Sequence, residues 1–203
     1  MENLTLLEAG SPEAKVHLDA MLQALQAAAR LPLVWNAPMI AAIDLAFAAY
    51  DAYLTRVVSR HPMACRMRCT ACCHDNPQWV TGIELRRLHD VLRATHGADA
   101  TMARFVALAG QAADPAAWRA RGIPCPLLRE GECSAYEKRP IACRSFVALT
   151  PAEWCSPSHA KYASRVNPHL EPPAILLRFL RMLSTDLGLA NAADLHTGMA
   201  ELG

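Results

Sequence analysis

Between residues 65 and 73 the chain reads Cys-Arg-Met-Arg-Cys-Thr-Ala-Cys-Cys, which places four of its eight cysteines, Cys65, Cys69, Cys72 and Cys73, within nine residues. Thiolates at that density are ligands for soft cations. If the stretch is helical, these spacings gather the four sulfurs within an arc of ~100°; as a loop, the same spacing can still wrap a cation. The neighbouring side chains of Cys72 and Cys73 diverge. They therefore suit two sulfur positions around a cluster or a metal pair better than two corners of one tetrahedral zinc. A metal or iron–sulfur site is the reading, and a run of buried free thiols is the alternative.

A second group follows: Cys125-Pro-Leu-Leu, then Gly131-Glu-Cys133-Ser-Ala-Tyr136-Glu-Lys-Arg139-Pro140-Ile-Ala-Cys143-Arg144. Glu130-Gly131 is a turn signal between two short pieces, so a small hairpin brings Cys125 and Cys133 together. Pro140 cannot continue that path and redirects the chain so that Cys143 turns inward. Cys155 lies farther on, in the irregular stretch 151–157. These are not the paired short knuckles of a zinc ribbon.

Taken together, these motifs resemble the YkgJ-type cysteine-cluster family of bacterial proteins, described as carrying a zinc- or iron-chelating domain. The resemblance runs from about Cys65 to Phe146. It carries family-typical positions onto Cys65, Cys69, Cys72, Cys73, Cys125, Cys133, Arg139, Pro140, Cys143 and Arg144. It implies metal chelation, with zinc or iron, including a 4Fe–4S cluster, as the cofactor. A related cysteine cluster occurs in flagellin lysine-N-methylases, which keeps an iron–sulfur enzyme in view, although no S-adenosylmethionine fold is visible in this chain. Cys65-x3-Cys69-x2-Cys72 also has the spacing of radical S-adenosylmethionine enzymes. Those place it after the first strand of a partial α/β barrel, whereas here a helix precedes it and no strand–helix alternation follows.

All seven cysteines from Cys65 to Cys143 are expected to face one shared volume, with Cys155 as an eighth member. So many thiols exceed what one tetrahedral zinc uses, and a polynuclear cluster or several ions is expected. Arg66, Arg68, Lys138, Arg139 and Arg144 lie beside them in sequence and can lower thiol pKa values and donate hydrogen bonds to sulfur. Arg139 and Arg144 are singled out because they flank Cys143 within the matched motif. His74 is a candidate nitrogen ligand, Tyr136 a packing residue, and His89 and His96 ordinary surface or packing side chains. Three functions follow: a metal-binding protein, an iron-dependent metalloenzyme with an open coordination position performing oxidation or group transfer, or a metal-free redox thiol switch.

The elements that must position these residues are helical. The 203 residues suit a single domain: N-terminal helices over 1–60, a cysteine-cluster core over 65–155 and C-terminal helices over 165–203. Periodicity predicts helices over about 12–30, 38–60, 82–97, 99–112, 172–187 and 190–202, with Val16, Leu18, Met21, Leu22 and Leu25 as the apolar side of the first, Met39, Ile43, Ala46, Phe47, Tyr50, Leu54 and Val57 as that of the second, and Gly97 as the stop of the third. Ser11 is the expected N-cap of the first, ahead of Pro12, and Thr81 with Glu84 forms a capping box for the third. Residues 77–80 are expected to be extended. The fold class is mainly α, a helical domain with irregular cysteine-rich metal-binding loops and at most a short β-hairpin. A formal charge of +1 without a basic block argues against nucleic acid, leaving metal ions as the expected partners. No signal peptide is visible, and the most apolar stretch, Ala37 to Tyr50, is too short to span a membrane and contains Asp44. A cytoplasmic location follows, where thiols stay reduced.

Overall fold

Pro12 opens the first helix, α1 (Pro12–Ala29), and Asn36 caps the second, α2 (Ala37–Val58), its side-chain oxygen accepting from the Met39 N–H at 3.1 Å. The computed structural model describes residues 12–59, 65, 69–74, 79–111, 118, 120–148, 150–156, 158–161, 174–189 and 193–203. Ser11, Arg66 and Arg68 lie outside them. In α1 the buried stripe is Ala14, Met21, Leu25 and Ala28; Val16, which the sequence pattern placed on the apolar side, is 65% exposed. In α2 the expected stripe of Met39, Ile43, Ala46, Phe47, Tyr50 and Leu54 is buried. It shares one core with α1, with Ile83, with Ile141 and with Leu176, Leu180 and Leu183 of α6 (Ala174–Asp186).

The length argument made for the Ala37–Tyr50 stretch does not hold. The helix runs for 22 residues, and Ala37–Arg56 is long and apolar enough to cross a bilayer by length and composition alone. Its apolar stripe is instead used in the chain's own core. Asp44 is paired, accepting from Arg87 Nη2 and from Lys138 Nζ, both at 2.6 Å.

A second core forms around α3 (Gly82–Arg93) and α4 (Ala98–Leu108), joined by α7 (Leu195–Leu202). Leu85, Leu88 and Leu92 face Met102, Phe105, Leu195 and Met199, while Ile83 at the start of α3 belongs to the first core. The third helix thus stands between both cores. It ends at Arg93 rather than 97, and Gly97, at φ +76°, caps the start of α4 instead of stopping α3. The Thr81/Glu84 capping box is present, with Glu84 Oε2 accepting from the Thr81 N–H at 2.7 Å and from its hydroxyl at 2.8 Å.

Among the described residues strand structure is confined to two antiparallel pairs. One is the expected hairpin of β2 (Leu128–Arg129) and β3 (Glu132–Cys133), turning through Glu130 at φ +49° and Gly131 at φ +79°. Two successive positive φ values match the right-handed twist of the strands, as in a type I′ turn. The other joins β1 (Trp79–Val80) to β4 (Ala193–Asp194), far apart in sequence. The second core reaches the hairpin through Leu127 and Ala135, whereas the first reaches the short helix α5 (Ile141–Ser145) through Ile141. The cysteine segments are therefore rooted in both cores.

Candidate metal centre

The first motif is not a regular α-helix: Ala71–His74 is a single turn of 3-10 helix, with the Cys73 N–H donating to the Thr70 carbonyl at 2.9 Å. The tighter turn replaces the α-helical arc of sulfurs by a looped one. The two motifs meet directly, since the Cys125 N–H donates to the Cys73 carbonyl at 2.8 Å.

Backbone N–H groups approach several of the sulfurs. The Leu127 and Ala135 amides are directed at the Cys125 and Cys133 thiols two residues earlier. The Ala148 N–H reaches Cys65 Sγ at 3.0 Å across the fold. The hairpin geometry produces the first two, because the chain turns just past each cysteine. Cys143 is placed from the opposite side. Pro140 precedes α5, and the first amide of that helix, Ile141 N–H, donates to Glu84 Oε1 at 2.7 Å. One buried carboxylate thereby ties the start of α3 to the start of the cysteine-bearing helix.

The eight cysteines, none joined in a disulfide, line two adjoining cavities. The first, of about 330 Å³, has Cys73, Cys125 and Cys133 in its wall; the second, of about 520 Å³, has Cys65 and Cys155. Cys69, Cys72 and Cys143 line both and form the partition between them. Among the described residues no three His, Cys, Asp or Glu side chains converge at metal-holding distance.

The electrostatics of the thiols are set by burial. Burial raises Cys65, Cys133 and Cys143 above the usual thiol range and carries Cys125 to about 12. A hydrogen bond with the Cys73 side chain, then burial, pushes Cys72 up as well. Each lies among other thiols, so ionising one makes ionising the next harder. Arg139 opposes this at Cys72 and Cys133. Its guanidinium stacks 3.6 Å from the centre of the Tyr136 ring and its Nε donates to the Tyr136 carbonyl at 2.9 Å, so it is fixed beside the sulfurs.

The other basic residues do different work. Arg144 is buried; it donates to the Arg139 carbonyl at 2.6 Å, to the Glu137 carbonyl and to Asp51, clamping the loop between Cys133 and Cys143. Lys138 is turned to Asp44 on α2 and does not serve the thiols. His74 points its Nδ1 at the Gly122 carbonyl at 3.5 Å and lines neither cavity, nor do His89 and His96. Tyr136, expected to pack, is 42% exposed at the rim of both cavities.

One wall residue has no counterpart in the sequence reading. His196, near the start of α7, lines the first cavity and is 2% exposed. Its ring is held between Trp118, at 4.8 Å between centroids, and Phe105, at 5.7 Å. No motif surrounds it; the β1–β4 pairing is what carries it to the cysteines, and short-range pattern does not reveal that contact.

Residues 64–163 match the family model CxxCxxCC, described as "putative zinc- or iron-chelating domain". No curated protein and no solved structure matches the chain.

Proposed function

We propose, from the match of residues 64–163 to the model of a zinc- or iron-chelating domain, that the chain binds zinc or iron through its eight cysteine thiolates, with an iron–sulfur cluster among the forms the iron can take. The sulfurs divide into two half-sites. Cys73, Cys125 and Cys133 serve one, Cys65 and Cys155 the other, and Cys69, Cys72 and Cys143 bridge them, so that two ions or one polynuclear cluster is held. Metal capture draws the sulfurs inward from the cavity walls, which suits residues carried on turns and one short helix.

The observation that supports this most is the aim of backbone N–H groups at Cys65, Cys125 and Cys133. A neutral thiol is a weak acceptor. The same N–H groups become strong partners once the sulfur carries charge. Burial disfavours that charge, and Arg139 alone of the described basic side chains opposes it at Cys72 and Cys133. A bound cation supplies the missing positive charge and deprotonates its ligands. Arg139 then acts through the thiolates, and Arg144 through the loop that carries them.

The test is anaerobic purification with elemental analysis and a visible spectrum. Zinc is colourless, whereas iron–thiolate and iron–sulfur centres absorb. Serine at Cys69, Cys72 or Cys143 should remove most of the metal, because both half-sites lose a ligand; serine at Cys65 or Cys155 should remove about half. Wild-type metal content in all five variants would overturn the assignment, and disulfides forming in a metal-free chain would favour a redox thiol switch. A reducing cytoplasm is the compartment in which such a site stays loaded.

One observation favours a second reading, an iron-dependent enzyme with an open coordination position. The first cavity, about 330 Å³, is far larger than a metal ion requires.

A further inference from the structure

Asp44, Phe47 and Asp51 stand at positions i, i+3 and i+7 of α2 and so lie along one face of the helix. That face receives the segment 138–144, which carries Cys143. Lys138 donates to Asp44 at 2.6 Å and Arg144 donates to Asp51. Between the two carboxylates, the Arg144 guanidinium lies 5.4 Å from the centre of the Phe47 ring, and Arg87 of α3 lies 3.7 Å from it. The segment is therefore tied to α2 at both ends, with Arg139 and Cys143 between the ties.

Arg144 is the link that reaches the sulfurs. Its side chain is 3% exposed, and a guanidinium so placed needs its donors matched. Nε donates to the Arg139 carbonyl at 2.6 Å, Nη2 to the Glu137 carbonyl, and Nη1 to Asp51, which supplies the opposite charge. Those two carbonyls belong to the turn whose Tyr136 ring and carbonyl hold the Arg139 side chain. Arg139, like Cys69, Cys72 and Cys143, lines both cavities, so fixing the turn fixes a cation at the partition. Asp51 itself lines the second cavity with Cys143, is 45% exposed and belongs to neither apolar core.

We propose that Asp51 is a positioning residue of the metal centre: through Arg144 it holds the 137–139 main chain, and with it the Arg139 guanidinium, beside the cysteines. This role rests on metal binding by those cysteines, and it extends the centre to α2, outside residues 64–163. Removing a group that holds the surroundings of metal ligands in place typically costs about 10–100-fold in affinity. Asp51 acts through one further residue and belongs at the lower end of that range.

The experiment uses the full chain, reduced, anaerobic and stripped of metal. It is titrated with zinc against a competing chelator, and with cobalt(II) by visible absorption. Asp51→Ala should bind zinc about tenfold more weakly than wild type, with the number of ions at saturation unchanged and the cobalt–thiolate bands shifted. Asp51→Glu, which keeps the carboxylate, should restore part of the affinity and the wild-type bands. Arg144→Lys cannot hold all three partners and should weaken zinc at least as much; the double variant Asp51→Ala/Arg144→Lys should be no weaker than Arg144→Lys alone, because both act through one link. Leu25→Ala, which opens a cavity in the first core, is the control for lost stability and should leave zinc affinity unchanged. Zinc binding by Asp51→Ala equal to wild type overturns the role, as do additive losses in the double variant or a loss matched by Leu25→Ala. A wild-type chain that takes up neither zinc nor cobalt refutes the metal assignment itself, and this role with it.

Discussion

Glu84 is the side chain on which the placement of Cys143 depends, and its replacement by Gln tests that dependence. The carboxylate is 2% exposed and accepts three hydrogen bonds: two from Thr81 on Oε2, and one from the Ile141 N–H on Oε1. An amide of the same shape has a single acceptor oxygen. If that oxygen keeps Thr81, the new NH2 group faces the Ile141 N–H, donor against donor; if it turns to Ile141, the Thr81 donors are left unmatched. Either way a bond to a charged group is lost, at about 1.5–3 kcal/mol, and a buried donor is left without an acceptor. The expected destabilisation is about 3 kcal/mol. For a chain of this size that corresponds to a fall in Tm of about 6–12 °C.

The assay is thermal unfolding of the metal-free chain under reducing conditions, with metal uptake measured alongside. Working without metal separates the hydrogen-bond loss from weaker metal binding. Metal uptake should fall as well, because Cys143 sits on the short helix whose first amide Glu84 holds. Asp19→Asn is the control: it breaks an exposed ion pair with Lys15 on α1 and should change stability by less than about 0.5 kcal/mol. A Tm for Glu84→Gln within 2 °C of that control would refute the idea that this carboxylate pins the two helix starts together.

Removing metal from the wild-type chain should lower Tm markedly, since metal binding to such sites contributes on the order of 10 kcal/mol of folding free energy; hydrogen exchange should then speed up across 125–148, and an unchanged melting curve would count against the site. Asp44→Asn should destabilise at neutral pH by leaving Arg87 and Lys138 without their carboxylate. Burial raises the Asp44 pKa, but the bonds from Lys138 and Arg87 outweigh it and hold the pKa below its ordinary value. Its contribution is therefore complete above the unfolded pKa and lost as pH falls through the folded one, so the two chains should begin to converge only as pH drops below about 4 in urea titrations. Burial holds His196 at about 4, against the pull of Asp194. A histidine depressed in the fold stabilises above its unfolded value, near 6.5, and loses that contribution as pH drops toward 4. Acid should therefore cost the metal-free chain ~3 kcal/mol over that window, and His196→Phe should remove that slope.

The helical body was legible because its information is local. Apolar spacing placed α2, α3 and α6, the Thr81/Glu84 pair marked the start of α3, and Glu130-Gly131 marked the hairpin turn. The coming together of the two cysteine motifs was legible from their chemistry, since so many thiols in a chain of this length have few other uses. Periodicity misled at Val16, where the stripe of α1 is filled by Ala14 and Ala28 and the larger side chain faces solvent. It also misled at Gly97, where a glycine read as a stop begins the next helix. Nearness in sequence misled at Lys138, because an ammonium beside a cysteine in the chain is free to turn to a carboxylate on another helix.

What stayed hidden were the contacts between distant segments, and those are what turn a cysteine-rich loop into a site. Glu84 to Ile141, Arg144 to Asp51 and Ala148 to Cys65 each bridge segments that no window of sequence holds together. Their effect on the chemistry is asymmetric. The sulfurs sit on turns and one short helix, and the groups that stabilise charge on them are anchored: the amides in the hairpin and the 148 segment, Arg139 on the Tyr136 ring. A fixed field of donors suits capture of a soft cation, because the donors are already aimed when the thiols ionise.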